Sequence, residues 1–141
     1  MNGHIARARV EIAAAPQDVW NALTDPAAVK KYMFGADVDT TWEVGSPITW
    51  TGEYEGKSYQ DKGEILAFEE PTRLSMTHYS PMGGQPDEPQ NYHRLEYSVA
   101  ESGGGSTVTL EQDGNDSEEQ AEQFAQNWQT SLDQLKAHVE G

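Results

Sequence analysis

The sequence lacks several features that would define a class of protein at once. It has 141 residues and no cysteine, which excludes disulfide bonds and thiolate chemistry. No apolar run reaches the length of a membrane-spanning helix, and the first residues lack the apolar segment of a secretion signal. We therefore expect a single cytoplasmic domain over residues 1–141, large enough to bury one core.

Basic residues are also scarce, with 9 Lys and Arg against 24 Asp and Glu and a net charge of −15. Such a surface repels nucleic acids and anionic membranes, so neither is expected as a partner. The acidic residues are scattered along the chain, which is typical of a solvated surface, for example in a salty cytoplasm. A basic protein partner stays open as an alternative.

The recognisable motifs of catalysis and metal binding are missing too. No Gly-x-Ser-x-Gly turn is present, and the glycines at 103–105 join two predicted strands rather than cradle a phosphate. His78 and His93 lie on predicted neighbouring strands, but no third ligand stands at a local spacing. We predict neither a metal nor a cofactor.

One long amphipathic helix, predicted over residues 117–139, is the strongest positive signal. Its apolar residues recur every three or four positions: Ala121, Phe124, Ala125, Trp128, Leu132, Leu135 and Val139. Ser117 and Gln120 form the pattern of a capping box. So long a stripe requires a broad surface to cover, and the preceding strands offer the only one.

Strands are predicted along most of the preceding chain, because apolar and polar residues alternate between turn signals. They cover residues 8–12, 48–54, 58–68, 74–79, 92–100 and 107–112, with a bulge at Gly63. Two short helices begin at Pro16 and Pro26, and residues 80–90 form a loop. The order predicts an α+β domain whose curved antiparallel sheet, of six or seven strands, wraps around the long C-terminal helix. A cavity between sheet and helix is then expected.

Four segments carry a family resemblance that spans nearly the whole chain. They are residues 15–26 (APQDVWNALTDP), 63–74 (GEIL followed by EPTRL), 106–110 (STVTL) and 128–135. They resemble the START-like superfamily of polyketide cyclases/dehydrases and birch-pollen-allergen-like proteins. Within it they are most similar to the homologues of the activator of heat shock protein 90 ATPase.

The resemblance implies a helix-grip fold with a cavity between sheet and helix. It implies no common reaction, because the superfamily includes lipid carriers, cyclases, hormone receptors and co-chaperone domains. Two departures lie near the expected cavity mouth. Asn127 stands where the family often has Gly before the helix Trp, and Tyr32-Met33-Phe34 replaces a frequent aromatic pair. The ligand of a relative therefore cannot be transferred to this chain.

The expected pocket combines bulky apolar residues with a few polar groups, which suits a hydrophobic or aromatic ligand. Its predicted lining is Met33, Phe34, Trp50, Tyr54, Met76, His78, His93, Tyr97, Phe124, Asn127 and Trp128. Ordinary core packing explains Trp20 and Phe68, and it competes with the pocket for Trp50, Met76, Phe124 and Trp128.

Three hypotheses of function follow. The first is a cytoplasmic protein that binds a small apolar or aromatic molecule. The second is a cyclase- or hydratase-like enzyme in which His78 or His93 acts as the base and Tyr97 as the acid. The third is a co-chaperone-like interaction domain, with another protein or a second copy of the chain as its partner.

Overall fold

A computed structural model describes residues 3–81 and 84–141, and for Tyr54 it describes the backbone alone. The strands are β1 (His4–Ile12), β2 (Asp37–Asp39), β3 (Pro47–Tyr54), β4 (Lys57–Glu69), β5 (Arg73–His78), β6 (His93–Ser102) and β7 (Gly105–Asn115). The helices are α1 (Pro16–Leu23), α2 (Pro26–Tyr32) and α3 (Glu118–Glu140). The α+β helix-grip architecture predicted from the sequence is confirmed.

All seven strands form one antiparallel sheet in the order β1-β7-β6-β5-β4-β3-β2. Strands that are consecutive in sequence pair, except that β1 lies beside β7. The two short helices after β1 therefore carry the chain from one edge of the sheet to the other. Short β2 closes the far edge, next to β3.

The C-terminal helix begins as its sequence predicts. The Ser117 hydroxyl accepts a hydrogen bond from the Gln120 amide at 3.0 Å, and the Gln120 side chain accepts from the Asp116 amide at 2.7 Å. These contacts satisfy backbone donors that a helix start leaves without partners. Ala121, Trp128, Leu132 and Leu135 are buried, so the predicted stripe faces the core.

Polar residues of α3 cover the outer edge of β1. The Gln129 amide group donates to the Arg9 carbonyl at 2.9 Å and accepts from the Arg9 amide at 3.3 Å. Further along, Lys136 donates to the Glu11 carbonyl at 2.8 Å. An uncovered edge strand is a template for unwanted pairing, so these side chains protect the sheet from association with other chains.

The predicted bulge lies a few residues from where it was expected. The register between β4 and β5 shifts between Ile65 and Ala67, not at Gly63. Gly63 has a different role, because a Cβ at this position would lie 1.8 Å from the Thr77 carbonyl oxygen. Glycine here allows the close approach of two backbones.

Among the described residues, no helix has the combination of length and apolar character that a membrane span requires.

Candidate functional site

The apolar interior between sheet and helices is almost completely filled. It retains a cavity of about 10 Å³, which has room for about one water molecule. The lining includes four of the predicted pocket residues: Met33, Trp50, Met76 and Tyr97. An apolar ligand has no space here unless side chains move.

Tyr97 belongs to this interior and not to a polar site. Its ring lies 6.4 Å from that of Tyr32, centroid to centroid, and both residues are buried. Burial raises the pKa of the Tyr97 phenol well above its usual range, and burial together with Tyr97 raises the pKa of Tyr32. Tyr97 therefore remains protonated. It lines the interior cavity and not the cleft that contains both histidines, so the expected His–Tyr acid–base pair is not assembled.

Besides two shallower grooves of about 450 Å³ and 350 Å³, the described residues form a cleft of about 280 Å³ at one end of the sheet. It lies where β5 ends and β6 begins, beside the end of β7 and the first half of α3. The cleft is lined by His78, Tyr79, Ser80, Gln85, Gln90, Asn91, His93, Gln112, Gly114, Asp116, Gln120, Phe124 and Trp128. Four of the predicted pocket residues are therefore brought together here: both histidines, Phe124 and Trp128.

The two histidines are direct cross-strand partners, His78 on β5 opposite His93 on β6. His78 Nε2 lies 3.0 Å from Asp61 Oδ2, and the Trp50 ring packs edge-on against the imidazole at 5.0 Å. His78 and Asp61 are largely buried, with side-chain exposures of 12% and 15%. His78 Nδ1 and Asp61 Oδ1 are buried and have no hydrogen-bond partner among the described residues.

His93 is oriented by the end of β7. Its Nδ1 donates to the Asp113 carbonyl at 2.7 Å, and its ring lies 6.1 Å from that of Phe124. Gly114 makes this packing possible, because a Cβ there would come within 3.0 Å of His93 Nδ1, and its φ of +74° favours glycine.

Trp128 is fixed by a buried polar contact. Its indole Nε1 donates to Gln112 Oε1 at 2.7 Å, and Gln112 is 1% exposed. A buried indole N–H needs such a partner. The contact holds one aromatic wall of the cleft in a single orientation.

Residues from the described segments 79–81 and 84–92 form another side of the cleft and are tied to the sheet. Tyr79 stacks on Tyr92 at 5.1 Å, and the Tyr92 hydroxyl donates to Asp87 Oδ1 at 2.5 Å. Lys62 on β4 forms an ion pair with Asp87. Hydrogen bonds from Lys62 and Tyr92 lower the pKa of the Asp87 carboxyl, which remains ionised.

A family model with the description "Activator of Hsp90 ATPase homolog 1-like protein" matches residues 13–140. The chain belongs to this family. Within the START-like superfamily, the fold described above is the one expected of its members.

Solved structures agree with this assignment. The solution structure of ChR145 from Cytophaga hutchinsonii is 41% identical, with a TM-score of 0.85, and the match covers 99% of this chain and 96% of that one. The Aha1 dimer from Colwellia psychrerythraea is 17% identical, with a TM-score of 0.74 and coverages of 97% and 96%. Ara h 8.0201 is 15% identical, with a TM-score of 0.73 and coverages of 96% and 97%. The last two likenesses concern the fold alone.

No protein with a curated description matches the chain.

Two residues of the cleft region in this Aha1-like chain were missed by the sequence analysis. Asp61 shares one face of β4 with Tyr59, Gly63 and Ile65, and Gln112 continues the inward series of Val108 and Leu110 on β7. In both cases the signal was a polar residue on the inward face of a strand, because residues two positions apart share one face. Their partners, His78 and Trp128, lie on other elements and follow from no local pattern.

Two of the predicted lining residues line neither the interior cavity nor the cleft. Phe34 is 55% exposed and has a φ of +54°, which turns the chain at the end of α2. Asn127 is exposed on the outer face of α3, directly before buried Trp128. The Tyr54 side chain lies outside the described part of the structure.

Proposed function

We propose that this protein binds a small molecule in the cleft at the end of the sheet. The observation that carries the proposal is the division of space: the apolar interior is filled, whereas the cleft of about 280 Å³ combines aromatic and polar side chains. Ligand sites commonly pair apolar walls with a few placed polar groups. A cytoplasmic location is part of the proposal.

The size of the cleft limits the ligand. Pockets for drug-sized molecules usually measure about 300–1,000 Å³, so this cleft suits a ligand of one or two rings. Phe124 and Trp128 provide the aromatic contact, and His78, His93 and Gln112 lie beside them. The proposed site thus includes four of the residues predicted from the sequence. Polar residues of the cleft take the place of the four predicted residues that lie in the interior.

The first experiment is native mass spectrometry of protein purified without added ligand, followed by a screen of hydrophobic metabolites. Binding is followed by NMR through the indole N–H signal of Trp128, which a Trp128→Phe variant identifies among the four tryptophans. We expect a retained or saturably bound compound that shifts this signal. Phe124→Ala should weaken its binding about tenfold through the loss of an aromatic wall.

Asn127→Ala is the matched control, because Asn127 lies on the same helix but is exposed. It should leave binding unchanged. Equal losses in both variants would contradict a site in the cleft. A clean apo mass with no response across the screen would overturn the proposal and favour a co-chaperone-like interaction role.

A second candidate is acid–base catalysis, favoured by the hydrogen bond between His78 and Asp61 beside the cleft. A carboxylate that holds an imidazole in one orientation strengthens it as a base. Prolonged incubation with the captured compound tests this hypothesis. A product that Asp61→Asn fails to form while it still binds the compound would support catalysis, and an unchanged compound would exclude it for that ligand.

A further inference from the structure

We infer that the cleft selects a neutral hydroxylated aromatic, which donates hydrogen bonds, and discriminates against aromatic carboxylates. This inference rests on the proposed function and names its ligand class. It follows from which nitrogen of each imidazole is already engaged, and from the charges along the cleft.

His93 offers a hydrogen-bond acceptor. A carbonyl oxygen can only accept, so the contact of 2.7 Å with the Asp113 carbonyl requires the proton on His93 Nδ1. In the neutral ring Nε2 then carries the lone pair. Phe124 packs beside the same ring. An aromatic ligand that contacts Phe124 would therefore lie close to the His93 acceptor.

His78 also offers a hydrogen-bond acceptor. An ionised carboxylate only accepts, so the contact with Asp61 requires the proton on His78 Nε2 and leaves Nδ1 as the acceptor of the neutral ring. That nitrogen and Asp61 Oδ1 are buried without partners among the described residues. Burying an acceptor without a donor is unfavourable. A ligand hydroxyl that reaches this pair with a small side-chain adjustment would supply the donor.

The charges along the cleft disfavour an anion. Among the described residues that line it, none is Lys or Arg, and Asp116 is acidic. Asp61 adds a second carboxylate behind His78, and the chain as a whole carries a net charge of −15. A ligand carboxylate would lose its hydration and gain no cationic partner.

Three compounds with the same ring system test the inference: 2-naphthol, 2-methoxynaphthalene and 2-naphthoate. Their affinities are measured by calorimetry near neutral pH, where 2-naphthol is protonated and 2-naphthoate is ionised. We expect 2-naphthol to bind about tenfold more tightly than the methyl ether, which lacks the donor, and 2-naphthoate to bind least.

Two variants locate the effect. Asp61→Asn and His93→Phe should each reduce the advantage of 2-naphthol over its ether at least several-fold. The comparison is the ratio of the two affinities within each variant, because a general change in the cleft affects 2-naphthol and its ether alike. Asn127→Ala serves as the surface control, and thermal unfolding of each variant establishes that the fold is retained.

The outcomes separate this inference from the proposed function. Equal binding of 2-naphthol and its ether, or the tightest binding by 2-naphthoate, would overturn the inference and leave a small-molecule site in place. An advantage of 2-naphthol that survives in both variants would overturn the role of the two imidazoles. If none of the three compounds binds, the inference fails and the proposed function loses support with it.

Discussion

Gly63 shows how one residue without a side chain determines the geometry beside the cleft. The Thr77 carbonyl on β5 lies where a Cβ of residue 63 would project, 1.8 Å away. Thr77 directly precedes His78, and Gly63 follows Asp61 by two positions on β4. The close approach at Gly63 therefore fixes the separation of the strands that carry the Asp61–His78 pair.

We predict that Gly63→Ala lowers the free energy of unfolding by about 2–3 kcal/mol, because the obstructing atom belongs to the backbone and cannot rotate away. Gly52→Ala is the control. Its Cβ would meet the Tyr59 hydroxyl at 2.7 Å, but that atom is the end of a side chain that can rotate, so we expect a smaller loss. Urea denaturation measures both. Equal losses in the free energy of unfolding would contradict a special role of Gly63 in the close approach of β4 and β5.

Elements with visible periods were predictable from the sequence, whereas the site depended on contacts between elements. The stripe and cap of α3 are local patterns, and the structure places them as expected. The filling of the interior was not predictable. Bulky apolar residues such as Trp50 and Met76 show the same sequence pattern whether they line a cavity or fill it. The Asp61–His78 contact required the register of two strand pairs, and the exposure of Phe34 required a left-handed turn.

At the scale of elements, Gln129 joins α3 to the edge of β1 through both backbone groups of Arg9. We predict that Gln129→Ala speeds hydrogen exchange of the Arg9 amide by at least several-fold, because that amide then faces solvent. The amides of Ala8 and Val10 point toward β7 by the alternation of an antiparallel pair and should change much less.

Gln126→Ala is the matched control, since Gln126 is exposed on the same helix. Exchange that accelerates uniformly along β1 in the Gln129 variant would indicate global destabilisation, and would contradict a specific role in covering the edge.

The whole molecule carries an excess of negative charge that its ion pairs cannot neutralise. Most of the basic side chains already lie close to a carboxylate. Because 24 acidic residues are balanced by only 9 basic ones, the net charge is −15. Exposed pairs contribute little each, so repulsion among the unpaired carboxylates should outweigh them.

We therefore predict that salt stabilises this protein. Raising NaCl from about 10 mM to about 300 mM shortens the screening length from roughly 30 Å to below 10 Å, which weakens repulsion across the molecule. The free energy of unfolding from urea titrations should rise by about 1–2 kcal/mol and then level off. A linear rise that continues to molar salt would indicate a general salting-out effect instead. A fall in stability would mean that the surface ion pairs dominate, contrary to the balance of charges.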